Sequence, residues 1–191
     1  MEIKEFEEQK KKQLNMKDKS NEGNWDVRIL ELCEKVNSKK EYYTTSSCSG
    51  RIVLVKGIPK KEKNVFLFKS HDKIEFSQLK RELEKSIKKY SDLIYLKQEP
   101  CIIHIACLDL DLAVKLLDIA KFSGWKMSGI IANRNRFVLE LRSTEKLEMP
   151  IVEKKILVDD DFLNILVKEA NDRLERTWGK ISKLERGLDG V

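Results

Sequence analysis

The chain has 191 residues, 41% hydrophobic and 37% charged. That is enough for one domain of good size or two small ones, and no apolar run reaches membrane-spanning length. The net charge of +6 is unevenly spread, since residues 1–23 sum to zero, residues 151–191 to −1 and residues 24–150 to +7. A basic body favours an anionic partner such as nucleic acid. Cys33, Cys48, Cys101 and Cys107 make no C-x-x-C pair, and the two histidines, His71 and His104, leave no zinc spacing to build. No metal is therefore expected. The N-terminus is charged from Glu2 onward, so no signal peptide and no membrane attachment are expected. The expected setting is a reducing cytoplasm with unpaired thiols.

Residues 1–19 read as a charged, weakly amphipathic helix with Ile3, Phe6 and Leu14 as its apolar positions, broken at Ser20–Asn24. A second helix is predicted from Asp26, as cap, to Val36, with Val27, Leu30, Cys33 and Val36 on one face. Tyr42-Tyr43-Thr44-Thr45 favours a strand, and Ile52–Lys56 follows as a second, buried one. Between them lie small hydroxyl residues, a thiol, Gly50 and Arg51. Gly57-Ile58-Pro59 makes a turn, Lys60, Lys61 and Lys63 a basic loop, and Asn64–His71 a strand. Phe76–Tyr90 is a predicted helix carrying Lys80, Arg81, Lys85, Lys88 and Lys89 opposite its apolar face.

Leu93–Leu96 reads as a short strand, and Cys101–Cys107, the most apolar run, as a central one. Asp109 or Asp111 is expected to cap a helix through Phe122, closed by Ser123-Gly124. Trp125–Ala132 and Phe137–Leu141 read as two strands joined by a turn at Asn133–Arg136, which sets Arg134 and Arg136 at one tip. Pro150 is expected to end this region, with Ile156–Val158 as a last strand. Asp159-Asp160-Asp161 starts a helix whose apolar positions recur to Leu188, ~40 Å long at 1.5 Å per residue, with Gly179 as a kink position. The organisation expected is a charged helical extension over 1–23, an α+β body over 24–158 and a long helix over 159–191 packed on it, as a single domain. The fold class is α+β, with a mixed, hairpin-rich sheet.

The eight glycines form no G-x-G and no G-x-x-x-x-G-K-[ST], so a Rossmann or P-loop nucleotide site is not expected. The Ser46–Arg51 stretch suits a carboxylate or phosphate, because small hydroxyls and a turn glycine adjoin a forked cation. An ordinary hairpin turn has the same composition. His104 lies mid-strand among isoleucines and, on residue type, reads as a neutral core histidine. His71 ends a strand. Cys48 beside a histidine would suit a thiol-dependent hydrolase.

Several stretches combine: Tyr43-Thr44-Thr45-Ser46-Ser47-Cys48-Ser49-Gly50-Arg51, Ser70-His71, Glu99-Pro100 with His104, Gly124-Trp125 with Ser128-Gly129-Ile130, Arg142-Ser143-Thr144 with Leu147-Glu148 and Pro150, and Ala170-Asn171. Together, over about residues 25–185, they resemble the wybutosine-synthesising methyltransferase family, which methylates N(4) of the tricyclic 4-demethylwyosine-type base in phenylalanine tRNA. The chain departs from that pattern at Phe66, where relatives often have Trp, and at Asn133–Arg136, which lacks glycines.

The resemblance implies S-adenosylmethionine as methyl donor, without a Rossmann domain, and the anticodon loop of tRNA(Phe) as partner. It assigns Ser47, Ser49, Gly50 and Arg51 to the donor or an anion. His104 and His71 become the catalytic imidazoles, and Ser128, Gly129, Arg134, Arg136 and Arg142 go to the substrate. A non-catalytic RNA-binding protein is the rival reading, because it also accounts for the basic body.

Overall fold

Apolar alternation builds two separate sheets among the described residues, which are 3–15, 26–57, 65–133 and 136–190 of a computed structural model. In chain order the first elements are α1 (Ile3–Leu14), α2 (Val27–Ser38), β1 (Tyr42–Cys48), β2 (Arg51–Lys56), β3 (Phe66–Ser70), α3 (Phe76–Lys89) and β4 (Ile94–Glu99). Then come β5 (Ile102–Cys107), α4 (Leu110–Phe122), β6 (Gly129–Asn133), β7 (Arg136–Arg142), β8 (Leu147–Glu153), β9 (Lys155–Ile156) and α5 (Asp160–Gly187). The Lys60–Lys63 loop, the Ser20–Asn24 break and Arg134 lie outside the described residues.

The chain divides into two compact units of interleaved segments. The first takes Met1–Ser49, Cys101–Thr144 and Trp178–Val191, and the second takes Gly50–Pro100 and Glu145–Thr177. The first holds the sheet β1-β5-β7-β6, and the second holds β3-β2-β4-β8-β9. Every pairing is antiparallel. The α+β class and the absence of a Rossmann architecture are borne out, and the sheet resolves into two antiparallel ones.

In the first unit, alternate residues of each strand go to opposite faces. Ile103 and Ile105 of β5 and Leu139 and Leu141 of β7 bury one face. There they meet Ile29, Leu32 and Val36 of α2, Leu116 of α4, and Ile181 and Leu184 of α5. Burying one such branched side chain is worth roughly 1.5–3 kcal/mol, so this face holds the unit together. Trp125 joins the same core, its Nε1 donating to Lys180 O at 3.0 Å. That explains why the strand begins at Gly129, later than expected: Trp125 fills the core before the chain enters the sheet. Among the described residues of this unit, α1 covers one end of the opposite face, where Phe6 tilts over Tyr43 with ring centroids 5.1 Å apart and Ala106 beneath.

Four further local expectations resolve as follows. Asp109, not Asp111, caps α4, accepting from Leu112 N at 2.8 Å. Asp26 stands before α2 but makes no side-chain cap bond, because its Oδ2 accepts from Ser49 N at 2.6 Å instead. Pro150 does not end the region but lies inside β8 opposite Tyr95, beside a register slip at Ile94/Tyr95 where a residue without N–H is tolerated. α5 runs unbroken through Gly179. No helix among the described residues is long and apolar enough to cross a membrane.

In the second unit, Gly50 is glycine for a backbone reason. Its φ is +96°, and a Cβ would stand 3.0 Å from Glu99 O and 3.2 Å from Thr177 Cγ2. Gly50→Ala should therefore destabilise the protein by about 1–3 kcal/mol. Urea denaturation of the variant beside the wild type measures it, and equal midpoints would show that this turn relaxes without strain.

Candidate active site

Beyond the end covered by α1, the first unit's outer sheet face gathers polar groups. In antiparallel pairs, residues directly opposite one another share a face. Ser46 lies opposite His104, His104 opposite Glu140, and Glu140 opposite Gly129, so one row crosses all four strands. Within it, Ser46 Oγ is 2.8 Å from His104 Nδ1, and His104 Nε2 is 3.0 Å from Glu140 Oε2. Arg142, two residues further along β7 and on the same face, brings Nη2 to 3.3 Å from Glu140 Oε1. His104 is thus no core residue: it is about a quarter exposed, while Ile103 and Ile105 beside it are buried.

A bulge in β1 sets this row. The β1–β5 register slips between Thr44 and Ser46. Thr45 becomes the extra residue, and Ser46 rather than Thr45 comes opposite His104. Bulges re-aim side chains in this way beside functional sites. The same slip turns Ser47 to the helix-covered face, where its hydroxyl reaches the Cys33 thiol. Ser49 is fully buried, and its Oγ has no hydrogen-bond partner among the described residues.

Gly129 sits in the row with space around it. A Cβ built there meets nothing within 4 Å, and its φ is not positive. Ser128 is structural by contrast: its Oγ donates to Trp125 O at 2.6 Å and accepts from Arg142 N at 2.9 Å, fastening the start of β6 to β7. Arg136 shares the outer face, with Nη1 donating to Tyr43 Oη at 3.1 Å.

The remaining candidates belong to the second unit. Arg51 and Glu99 are register partners on β2 and β4, and their Nε and Oε2 are 2.5 Å apart. The Arg51 guanidinium also lies 4.8 Å from the Phe66 ring centroid, so that ring serves as a stacking platform. His71 Nδ1 is 3.2 Å from Gly50 O; a carbonyl only accepts, so this nitrogen carries the hydrogen. The structure therefore joins His104 with Gly129 and Arg142, and joins His71, Gly50 and Arg51 in the other unit.

In the sequence Glu140 carries no site motif, and Ser46 is one of a run of hydroxyls. The alternation Arg136-Phe137-Val138-Leu139-Glu140-Leu141-Arg142 does mark Glu140 as an outward position. Nothing in the sequence marks the bulge that selects Ser46 from a run of hydroxyls.

Of the four cysteines, three are chemically quiet. Burial pushes the thiol of Cys33 up to about 11 and those of Cys101 and Cys107 up to about 12. Nucleophilic thiolate is scarce at such values. Cys48 is only half-buried. Brief alkylation of the folded protein near pH 8, followed by peptide mass spectrometry, should label Cys48 well before the other three. Equal labelling would mean that the inner face opens readily.

The family model described as Methyltransferase TYW3 matches residues 5–190. A relative from Archaeoglobus fulgidus, a tRNA(Phe) 7-((3-amino-3-carboxypropyl)-4-demethylwyosine(37)-N(4))-methyltransferase, is 35% identical over 90% of this chain and 86% of its own. The tRNA wybutosine-synthesizing protein 3 homolog of Danio rerio is 33% identical over 97% of this chain and 75% of its own. Among solved structures, the PH1069 protein of Pyrococcus horikoshii matches with a TM-score of 0.86 at 31% identity, covering 97% of both chains.

Proposed function

The chain belongs to the Methyltransferase TYW3 family, and from that premise we propose that it methylates N(4) of the 4-demethylwyosine-type base at position 37 of tRNA(Phe), in the cytoplasm. The donor, S-adenosylmethionine, supplies an electrophilic methyl on a sulfonium sulfur, beside an anionic α-carboxylate. Direct displacement there requires mainly alignment, so the protein's task is to hold two partners and to take away a proton.

For the donor, Ser47 and Ser49 are the candidates in the first unit, and Gly50 and Arg51 those in the second. Ser49 Oγ is a buried hydroxyl with its hydrogen-bonding capacity unused among the described residues. Such a group costs stability unless something polar meets it. Arg51 offers a planar guanidinium for a carboxylate, held by Glu99 and Phe66. Gly50 shapes the turn, and Ser47 spends its hydroxyl on Cys33.

The base is assigned to the outer sheet face of the first unit, and Gly129 is the observation that carries this. A glycine within a strand costs roughly 0.5–1 kcal/mol relative to alanine. Here neither a positive φ nor a close neighbour requires one. The open space left there suits the close approach of something from outside the protein. Glu140 lies opposite that space with Arg142 further along the same strand, and His104 and Ser46 continue the row toward β1. An anticodon loop lets a base be unstacked at low cost, and a tricyclic base offers ring atoms to the polar row and a broad face to Ile131 and Val138 beside it. Arg136, Arg142 and the basic residues of the body would then meet the backbone.

The direct experiment is methyl transfer from labelled S-adenosylmethionine to tRNA(Phe) carrying the unmethylated base. Label in that base is the expected result. Binding of the tRNA with neither transfer nor a calorimetric signal for the donor would favour the plain RNA-binding reading.

Two outcomes follow for the base and backbone assignments. Gly129→Val should fold at least as well as the wild type, since valine favours strands, yet raise the KM for tRNA by tenfold or more, roughly 1.4 kcal/mol. Unchanged kinetics would remove this face from the site. Affinity for tRNA should fall steeply between low and physiological salt, each neutralised phosphate adding about 0.7–0.9 to the logarithmic slope. A flat dependence would mean that the +7 body does not carry the tRNA.

A further inference from the structure

The hydrogen bonds of the outer row have a direction. Glu140, as a carboxylate, only accepts, so in a neutral imidazole the hydrogen sits on His104 Nε2 and is donated to Oε2 at 3.0 Å. The lone pair is therefore on Nδ1. The group facing that lone pair at 2.8 Å is Ser46 Oγ, which must donate to it. His104 does not present its basic nitrogen to solvent directly; Ser46 stands in front of it, exposed, while the ring behind is mostly covered.

We propose that Ser46 Oγ is the atom that takes the proton from the methylated ring nitrogen, with His104 as the base behind it and Glu140 as the residue that fixes its tautomer. The proposal rests on the methyltransferase reading above and names the proton acceptor within it. As the ring nitrogen forms its bond to the methyl carbon, the sulfur–methyl bond breaks and leaves its electron pair on sulfur. The nitrogen's proton passes to Ser46 Oγ, and its electrons stay in the ring. In the same event the proton already on Oγ passes to His104 Nδ1. The imidazolium so formed lies against the Glu140 carboxylate and afterwards returns its proton to water.

Three features favour a built relay over a chance polar ladder. The bulge in β1 is what brings a serine opposite His104. Without the slip Thr45 would occupy that place, whereas it now directs Oγ1 to His104 O at 3.4 Å. Glu140 is held on its second oxygen by Arg142, at 3.3 Å, so the carboxylate that orients the ring is itself oriented. Finally, Ser46 is exposed on the outer face, so an incoming nitrogen can reach its Oγ from outside the sheet.

The test uses the full chain with Ser46→Ala, Ser46→Thr and Glu140→Gln. Four quantities are measured: melting temperature, tRNA affinity, single-turnover methylation with donor saturating, and the ¹⁵N NMR shifts of the His104 ring. Ser46 is exposed and Glu140 half-buried, so all three variants should melt like the wild type and bind tRNA with similar affinity. Ser46→Ala should lower the single-turnover rate by roughly 10²-fold, the low end for loss of a positioned proton acceptor, and Ser46→Thr should restore most of it. Glu140→Gln should lower the rate by tenfold or more. Its spectrum should show hydrogen shared between Nδ1 and Nε2, where the wild type keeps it on Nε2. An active wild type whose Ser46→Ala and Glu140→Gln variants turn over at its own rate would overturn the relay and leave the methyltransferase reading standing. A folded, tRNA-binding wild type that transfers no methyl would overturn the reading itself.

Discussion

The first unit depends on the two-sidedness of β5. Its odd residues, Ile103 and Ile105, are driven into the helix-covered core, and the period of two then forces His104 outward between them. No separate device is needed to expose the imidazole. The same pressure on Leu139 and Leu141 presents Glu140 and Arg142 outward on the next strand. Hydrophobic burial on one face thus sets a polar row on the other, and a register shift of one residue would destroy core and row together.

Unpaired polar groups and absent side chains carry the functional argument because packing does not explain them. Gly50 is explained: its φ and its close neighbours leave no room for a side chain. Gly129 is not, and neither is the buried hydroxyl of Ser49. Arg51 stands between the two cases. Its ion pair with Glu99 and its stacking on Phe66 give the planar cation two partners that fix its orientation. An arginine held in this way loses little rotamer freedom when an anion arrives.

Much of the local structure was legible in the sequence. The apolar steps of α3, α4 and α5 located those helices to within a few residues, and the isoleucine-rich run located β5. The failures were equally local in cause. Pro150 argued against a strand, yet β8 accommodates it beside a register slip. Trp125 looked like a strand residue because aromatics favour strands, but the core claimed it first. Asp26 matched the cap position of α2, and a buried backbone N–H at Ser49 outbid the helix for its carboxylate.

The sequence by itself determined the class of fold, the basic body and, through many small motifs taken together, the family. Those properties follow from composition, period and order, which a one-dimensional chain displays. Only the tertiary structure decided which residues share a face. Ser46, His104, Glu140 and Gly129 lie far apart in the chain, and their row exists because three antiparallel registers and one bulge align them. The interleaving of the two units was likewise beyond local reading, since each is assembled from segments that are distant in sequence and brought together by strand pairing. Register is a long-range quantity, settled by which apolar faces can be buried at once, and that is why the chemistry of this face became readable only after folding.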